Sequence, residues 1–298
     1  MAKLWSAELE LRGAGGEPVD LRRTLTSHGV ADLPPNEIDS AAQTLTTTLA
    51  LAPDRARTVS VGPGRTGFAR VEAAGVTAAE GRAISETVGH MLRLDADLSG
   101  FYEVASADPE LDWAGTGAGR MMRGTTVFED VVKTICTTNC AWSATVRMIG
   151  ALVEHLGAEA PGGRHAFPSP QAMAEAGDEF YRDVVRAGYR GAYLRSLAGS
   201  VAHGRLDLER LTDPGLSDDE VAERLIALPG CGPYATAHIM MLLGRYSRLI
   251  LDSWTRPTYA RLNGRKAADR TIERRFRRYR DYAGLAFWLY LTRDWVDG

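Results

Sequence analysis

Alternating hydrophobic and polar positions open the chain and predict a β-strand that ends at a glycine-rich turn over residues 13–16. The apolar members of this alternation are Trp5, Ala7, Leu9 and Leu11. Two further β-prone segments, residues 58–61 and 67–71, flank the turn-forming sequence at residues 62–64. The pattern therefore predicts a small sheet in the first part of the chain.

The hydrophobic period becomes helical over residues 76–94 and remains helical beyond Ser99. Two helix starts carry the spacing of a capping box: Thr126 with Glu129, and Ser217 with Glu220. We expect a break at residues 137–139, then a helix over roughly residues 142–156 that ends at Gly157 as a C′ glycine. The chain thus divides into a β-rich domain over residues 1–99 and a helical domain over residues 100–298.

Composition excludes membrane-spanning and secreted classes. The 298 residues are 45% hydrophobic and 24% charged, which is typical of a globular protein with room for two domains. The longest apolar run, residues 286–291, is far too short to span a bilayer, and residues 1–10 lack the apolar core of a signal peptide. The three cysteines (Cys136, Cys140 and Cys231) match no zinc or iron–sulfur spacing. We expect a reducing, cytoplasmic setting.

Charge is balanced overall but uneven along the chain. The net charge is −3, yet residues 261–280 hold nine cations against two acids. This excess predicts either a phosphate-facing patch that includes Arg274 and Arg278, or an ordinary solvated helix face. Only three of the 35 basic residues are lysines: Lys3, Lys133 and Lys266.

The most informative segment joins two predicted helices through Leu228-Pro229-Gly230-Cys231-Gly232. Pro233 suits the first position of the second helix, and Gly244 suits its end. Glycines let such a turn approach a ligand closely, and its N–H groups, together with the helix N-terminus, form a nest for an anion. The more common alternative is a plain helical hairpin. Asp252 is placed to cap a further helix at residues 253–262.

These residues together resemble the helix–hairpin–helix DNA glycosylase superfamily, which carries Leu-Pro-Gly-x-Gly followed some twenty residues later by an aspartate. The branch of the 8-oxoguanine and 3-methyladenine glycosylases is the most similar. Further segments that resemble the 8-oxoguanine glycosylases are residues 95–102, Phe128-Glu129-Asp130, residues 135–139, Phe167-Pro168-Ser169-Pro170 and Gly188-Tyr189-Arg190. The resemblance covers about residues 95–290. It implies an α+β fold, with an antiparallel sheet domain similar to half of a TATA-binding protein before the all-helical glycosylase domain.

One departure from this family bears on mechanism. Bifunctional members place a lysine just after the hairpin, where it attacks the sugar, and this chain has Tyr234 there. Asp252 matches the family aspartate, whose implied role is to stabilise the positive charge that develops on the sugar and to guide a water. The resemblance therefore implies a monofunctional glycosylase of base excision repair. The alternatives are a bifunctional 8-oxoguanine glycosylase/lyase, or a lesion-binding protein without turnover.

The resemblance also implies a pocket for the flipped base. His238 follows Tyr234 by one helical turn, and Trp254 follows the aspartate. Phe287 and Leu291 stand where oxoguanine enzymes have glutamine and phenylalanine, so the glutamine that bonds the oxidised guanine is missing. N-alkylated purines rank first as substrates, because Tyr234, His238 and Trp254 can stack on an electron-poor ring. The structural alternative for these aromatic residues is a place in the core.

The implied partner is double-stranded DNA with a damaged base, bound by a monomer without a membrane. Asn139 and Arg190 match family residues that reach the partner base, and the alternatives are a helix-terminal asparagine and a surface arginine. In the hairpin, Leu228, Gly230 and Gly232 would bind a DNA phosphate, with a K⁺ or Na⁺ ion on the turn's carbonyls. No other cofactor is expected.

Overall fold

The computed structural model describes residues 3–295, so the first two and last three residues of the predicted domains lie outside it. It confirms the α+β fold, with an antiparallel sheet followed by helices. Five strands pair in the order β1-β5-β4-β3-β2. Their bounds are β1 Leu4–Glu10, β2 Glu37–Asp39, β3 Thr44–Ala52, β4 Arg55–Pro63 and β5 Phe68–Ala74.

The alternation at the start of the chain forms β1, whose pairing with β5 runs from Leu4 opposite Ala74 to Glu10 opposite Phe68. The other two predicted segments lie in β4 and β5, whereas β2 and β3 were not predicted. β3 is rich in threonine, and its buried Thr47 hydroxyl donates to the Asn36 side chain at 2.7 Å. A strand whose buried face is partly polar has no clear apolar alternation.

Twelve helices accompany the sheet in the described residues. They are α1 Leu21–Leu25, α2 Ala78–Met91, α3 Ser99–Ser106, α4 Val127–Thr137, α5 Trp142–Leu156, α6 Pro170–Glu175, α7 Arg190–Ala202, α8 Asp218–Ile226, α9 Pro233–Leu243, α10 Thr255–Leu262, α11 Asp269–Phe276 and α12 Ala283–Thr292. Short 3₁₀ helices include Gly29–Asp32 and Arg277–Tyr282. None of the helices in residues 3–295 is long and apolar enough to cross a membrane.

Helix α9 lies between the two hydrophobic cores of the helical region. Its Ile239 and Met240 pack into a core built largely from α4, α5, α7 and α8. On its other side, Ala237 and Met241 pack against residues of α3, α10, α11 and α12. The residues from Ala235 to Leu243 are all buried. The fold therefore holds the hairpin before α9 on a helix that is packed on both sides.

The helix-boundary predictions are partly correct. Ser217 and Glu220 form the full capping box. At α4 the Thr126 hydroxyl accepts from the Glu129 N–H at 3.1 Å, but the Glu129 carboxylate bonds Thr125 instead, so only half of that box forms.

The two helix-ending glycines differ from each other. Gly244 ends α9 with a left-handed φ of 86°, as expected of a C′ glycine. Gly157 ends α5 in an extended conformation, so its prediction as a left-handed C′ glycine is wrong. A Cβ at Gly157 would lie 1.9 Å from the Ala166 carbonyl oxygen, and this close approach explains the glycine.

Candidate active site

The hairpin between α8 and α9 uses its two glycines differently. Gly230 has a φ of +89°, a conformation that favours glycine, and the Cys231 N–H donates to the Leu228 carbonyl at 3.0 Å. Gly232 has an ordinary φ of −86°, and a Cβ there would meet no protein atom within 4 Å. The fold therefore requires a glycine at position 230, whereas position 232 faces open space where a ligand can approach the backbone.

Asp252 lies just before α10, which begins at Thr255 and not at residue 253 as predicted. Its Oδ1 accepts from the N–H groups of Trp254 (2.9 Å) and Thr255 (2.7 Å), and its own N–H donates to the Thr255 hydroxyl at 2.8 Å. The carboxylate thus caps the start of α10, as its position in the sequence predicted. Oδ2 accepts no hydrogen bond from the described residues, and the side chain is only half-buried. One oxygen fixes the loop while the other remains available.

Tyr234, on the first turn of α9, is held by a 3.1 Å hydrogen bond between its hydroxyl and that of Thr137. Burial raises the pKa of Tyr234; the Thr137 hydrogen bond lowers it and the negative charge of Asp252 raises it further. The phenol is therefore neutral at physiological pH. Tyr234 and Asp252 line the same cleft.

A cleft of about 870 Å³ brings six of the thirteen predicted site residues together. It is lined by Asn139 from the α4–α5 turn, by Leu228, Gly230 and Gly232 from the hairpin, and by Tyr234 and Asp252. Tyr189, Tyr193 and Arg256 also line it, although the sequence did not single them out as site residues. A carboxylate, a phenol and an open glycine backbone thus share one solvent-accessible groove.

Solved structures of two DNA glycosylases share this arrangement of elements. The chain matches the 3-methyladenine DNA glycosylase from Archaeoglobus fulgidus with a TM-score of 0.74 and 21% identity, over 97% of this chain and 98% of that chain. It matches the Clostridium acetobutylicum 8-oxoguanine glycosylase/lyase in its apo form with a TM-score of 0.72 and 20% identity, over 98% of each chain. The chain shares the fold of these two DNA glycosylases.

Sequence comparison gives a shorter match. The chain is 27% identical over 106 residues to a Bacillus subtilis (strain 168) protein named "Putative DNA-3-methyladenine glycosylase YfjP". This match covers 35% of this chain and about a third (34%) of that protein. No family model matches the chain.

Asn139 and Arg190 differ in their exposure to solvent. Asn139 is exposed with a φ of +49°, and its amide contacts the Tyr189 hydroxyl at 3.4 Å. Arg190 is buried; its guanidinium donates to the carbonyls of Thr138 and Ala187. The prediction that Arg190 reaches toward DNA is therefore corrected, because it braces the Asn139 turn from behind. Tyr189, which is 53% exposed, is the member of the Tyr189-Arg190 motif that faces the cleft.

The predicted base-pocket residues separate into two groups. His238 is buried one turn behind Tyr234, with their ring centroids 6.0 Å apart. Trp254 is 39% exposed and its ring lies 5.6 Å from that of Trp288. Phe287 and Leu291 are instead in the core of the C-terminal helices, where Phe287 packs on Phe276 at 5.1 Å. The structure does not bring Phe287 and Leu291 to the cleft, since α12 turns Trp288 toward the Asp252 loop.

Two arginines of the arginine-rich segment, Arg274 and Arg278, lie outside the cleft. Arg278 pairs with Asp108 and with Glu110 (3.2 Å), and Arg274 lines a separate cavity beside Asn263. Neither arginine lines the cleft, and intramolecular acids bind Arg278, so their contact with DNA stays a prediction.

A second cavity, of about 690 Å³, adjoins the cleft and shares Pro233, Tyr234 and Arg256 with it. Arg277 and Arg280 line this cavity, and neither has an ion-pair partner within residues 3–295. The basic segment therefore presents Arg277 and Arg280, not Arg274 and Arg278, next to the hairpin.

No three His, Cys, Asp or Glu side chains cluster in the described chain, so it offers no set of side-chain ligands for a metal ion. A monovalent cation would need carbonyl oxygens. In the hairpin, Leu228 and Gly232 already accept from the N–H groups of Cys231 and Thr236. Backbone hydrogen bonds of the described residues leave the carbonyls of Pro229, Gly230 and Cys231 for such an ion, whose presence stays a prediction.

Proposed function

We propose that this protein is a DNA glycosylase of base excision repair that removes a damaged base and leaves the strand intact. The observation that carries the proposal is the Asp252 carboxylate, fixed through one oxygen in the same cleft as Tyr234 and the open glycine of the hairpin. The neighbours in fold support a DNA partner. One of them, the C. acetobutylicum 8-oxoguanine glycosylase/lyase, has also been solved with double-stranded DNA containing cytosine opposite 8-oxoG.

The reaction begins with extrusion of the damaged nucleotide, because a base inside the duplex is out of reach of the carboxylate. The hairpin N–H groups hold a phosphate, and Tyr189 and Asn139 face the space that the base leaves. As the glycosidic bond breaks, positive charge develops on the sugar, and the Asp252 carboxylate stabilises it. The same carboxylate orients the water that adds to C1′ and accepts its proton.

The absence of an amine at the cleft favours hydrolysis over strand cleavage. A lyase needs an amine to form a Schiff base with the sugar. Among the described residues no lysine lines the cleft or the adjoining cavity. Lys133 is buried, and its Nζ lies 2.7 Å from the Glu129 carboxylate. Tyr234 occupies the position of the family's lysine, and its phenol cannot form a Schiff base.

The lesion that we propose is an N-alkylated purine. Tyr234 lines the cleft with His238 packed behind it, and Trp254 is a partly exposed ring two residues after Asp252. An electron-poor alkylated ring stacks well on such aromatic faces. The names of the A. fulgidus and B. subtilis proteins refer to 3-methyladenine, which supports the same class.

Duplexes that each carry one defined lesion test this function. We expect release of N-alkylated purines, with strand breaks that appear only after alkali, because the product is an intact abasic strand. Borohydride should trap no covalent complex. Strand breaks without alkali would instead identify a bifunctional 8-oxoguanine-type enzyme. Lesion binding without release of any base would identify a silent binder.

The open position at Gly232 gives a selective test of the hairpin. We expect Gly232→Val to leave the free energy of unfolding nearly unchanged, because a Cβ at this position meets no protein atom within 4 Å. It should weaken binding to damaged and undamaged duplexes alike, since phosphate contacts carry no sequence information. Gly177→Val is the matched control, with open space at its Cβ and a position outside the cleft. Equal duplex affinity of the two variants in a filter-binding titration would remove the hairpin from the interface.

The two arginine pairs allow a charge-matched comparison of salt dependence. Replacing Arg277 and Arg280 with alanine should lower the log–log salt slope of DNA binding by about two units, since each lost phosphate contact contributes about 0.9. Replacing Arg274 and Arg278 removes the same charge away from the cleft and should leave the slope within about half a unit. Equal slopes for both double variants would show that only net charge matters.

A further inference from the structure

Two buried histidines from different parts of the chain meet behind Tyr234. His28 lies in the N-terminal region, just before the 3₁₀ helix Gly29–Asp32, and His238 lies on α9. Their ring centroids are 5.6 Å apart with the planes at 87°, and both side chains are at least nine-tenths buried. Because the Tyr234 ring lines the cleft and contacts His238, the pair lies one ring behind the cleft wall.

The hydrogen bonding of His28 fixes its tautomer. Its Nε2 lies 2.6 Å from the Met122 carbonyl oxygen, which can only accept, so Nε2 carries the proton. Burial lowers the pKa of His28 to about 3, and burial also lowers the pKa of His238 to about 4, so both rings are neutral at physiological pH. Nδ1 of His28 is therefore a bare lone pair.

Neither histidine is fully satisfied. Nδ1 of His28 and Nε2 of His238 are buried and have no hydrogen-bond partner among the described residues. Leaving a buried polar atom unpaired is costly, so two such atoms on neighbouring rings call for an explanation. A second chain of contacts reaches the same place, since Trp288 packs on Trp254 and donates to the carbonyl of Ser27, the residue before His28.

We propose that His28 and His238 form the polar end of the pocket that receives the extruded base, which enters when the Tyr234 side chain moves aside. This inference rests on the proposed glycosylase function and names its substrate more closely. The obligate acceptor at His28 Nδ1 selects a base that turns an N–H donor toward it. An N-alkylated adenine offers its 6-amino group, whereas the 6-oxo group of an N-alkylated guanine would face the lone pair and be repelled. The uncharged rings also tolerate a cationic base.

Methylated DNA tests the selection because it contains alkylated adenines and guanines in one substrate. We expect His28→Phe to lower the ratio of released alkyladenine to alkylguanine about tenfold, as the loss of one buried acceptor predicts. His28→Gln should keep most of the ratio, since its amide can donate to Met122 and still present an oxygen. His90→Gln is the matched control, because His90 is a half-buried histidine on α2, away from the pair. An unchanged ratio in folded His28→Phe would overturn the proposal.

A direct measurement on the unaltered protein remains decisive if His28→Phe does not fold or if no base is released. Long-range ¹H–¹⁵N spectra report whether each imidazole nitrogen carries a free lone pair. We expect the Nδ1 resonance of His28 to shift when free 3-methyladenine is added, while those of His90 stay in place. A response without any base release would uphold the pocket and refute the catalytic proposal. A nitrogen already bonded to buried water and unmoved by the base would overturn the pocket.

Discussion

Asp252→Asn should abolish most base excision while preserving the fold and lesion binding. The asparagine Oδ1 can still accept from the N–H groups of Trp254 and Thr255, so the cap before α10 survives. The amide lacks the negative charge that the developing cationic sugar requires. The loss of one preorganised electrostatic group of this kind slows catalysis about 100- to 1,000-fold. Single-turnover excision from a lesion duplex, alongside a binding titration, measures both quantities.

Thr255→Val is the control that separates the cap from the charge. It removes the hydroxyl that accepts from the Asp252 N–H at 2.8 Å but leaves the carboxylate in place. We expect a stability loss of about 1 kcal/mol and an excision rate within about tenfold of the unaltered protein. If Thr255→Val lost as much activity as Asp252→Asn, Asp252 would act mainly by holding the loop. Excision by Asp252→Asn at the original rate would exclude the carboxylate from the chemistry.

The sequence predicts those parts of the fold in which local pattern and burial agree. The alternation of β1 and the Ser217–Glu220 box meet this condition, and both are present in the structure. β3 does not, because threonines on its buried face hide the period. Glycines show the same limit. Gly244 takes the left-handed conformation that helix ends favour, whereas Gly157 is explained only by the close approach of the Ala166 carbonyl from the following segment.

The candidate site divides in a similar way. Residues inside one short motif, such as Gly230, Gly232 and Tyr234, reach the cleft because local geometry fixes them. Phe287 and Leu291, which were assigned from their positions on the distant helix α12, do not reach the cleft, because both side chains lie in the core. The neighbouring Trp288 is the residue of α12 that packs on Trp254, next to the Asp252 loop. His28 gives no local signal at all. It meets His238 only through the packing of the N-terminal region against α9.

The second large effect concerns the buried Lys133–Glu129 ion pair of α4, whose lysine also bonds the N-terminal region. The Lys133 ammonium lies 2.7 Å from the Glu129 carboxylate and donates to the Leu33 carbonyl at 3.2 Å, with both side chains 2% exposed. Lys133→Met should lower the free energy of unfolding by about 3–5 kcal/mol, because it leaves a buried carboxylate without a counter-charge. Asp130 worsens this, since burial and the neighbouring Glu129 raise its pKa to about 7 and a second negative charge forms there above that pH. Urea unfolding measures the loss.

Adding Glu129→Gln to Lys133→Met should recover most of that stability, because the glutamine oxygen still accepts from Thr125 and no charge is left at position 129. This double variant also tests the chemistry, since it deletes the buried lysine of α4. Under the hydrolytic mechanism, its folded molecules should release bases at the original rate. If borohydride trapped the unaltered protein, and the folded double variant lost both this trapping and base release, Lys133 would be the nucleophile and the monofunctional mechanism would be refuted. A single variant as stable as the unaltered protein would show instead that the pair contributes nothing to the fold.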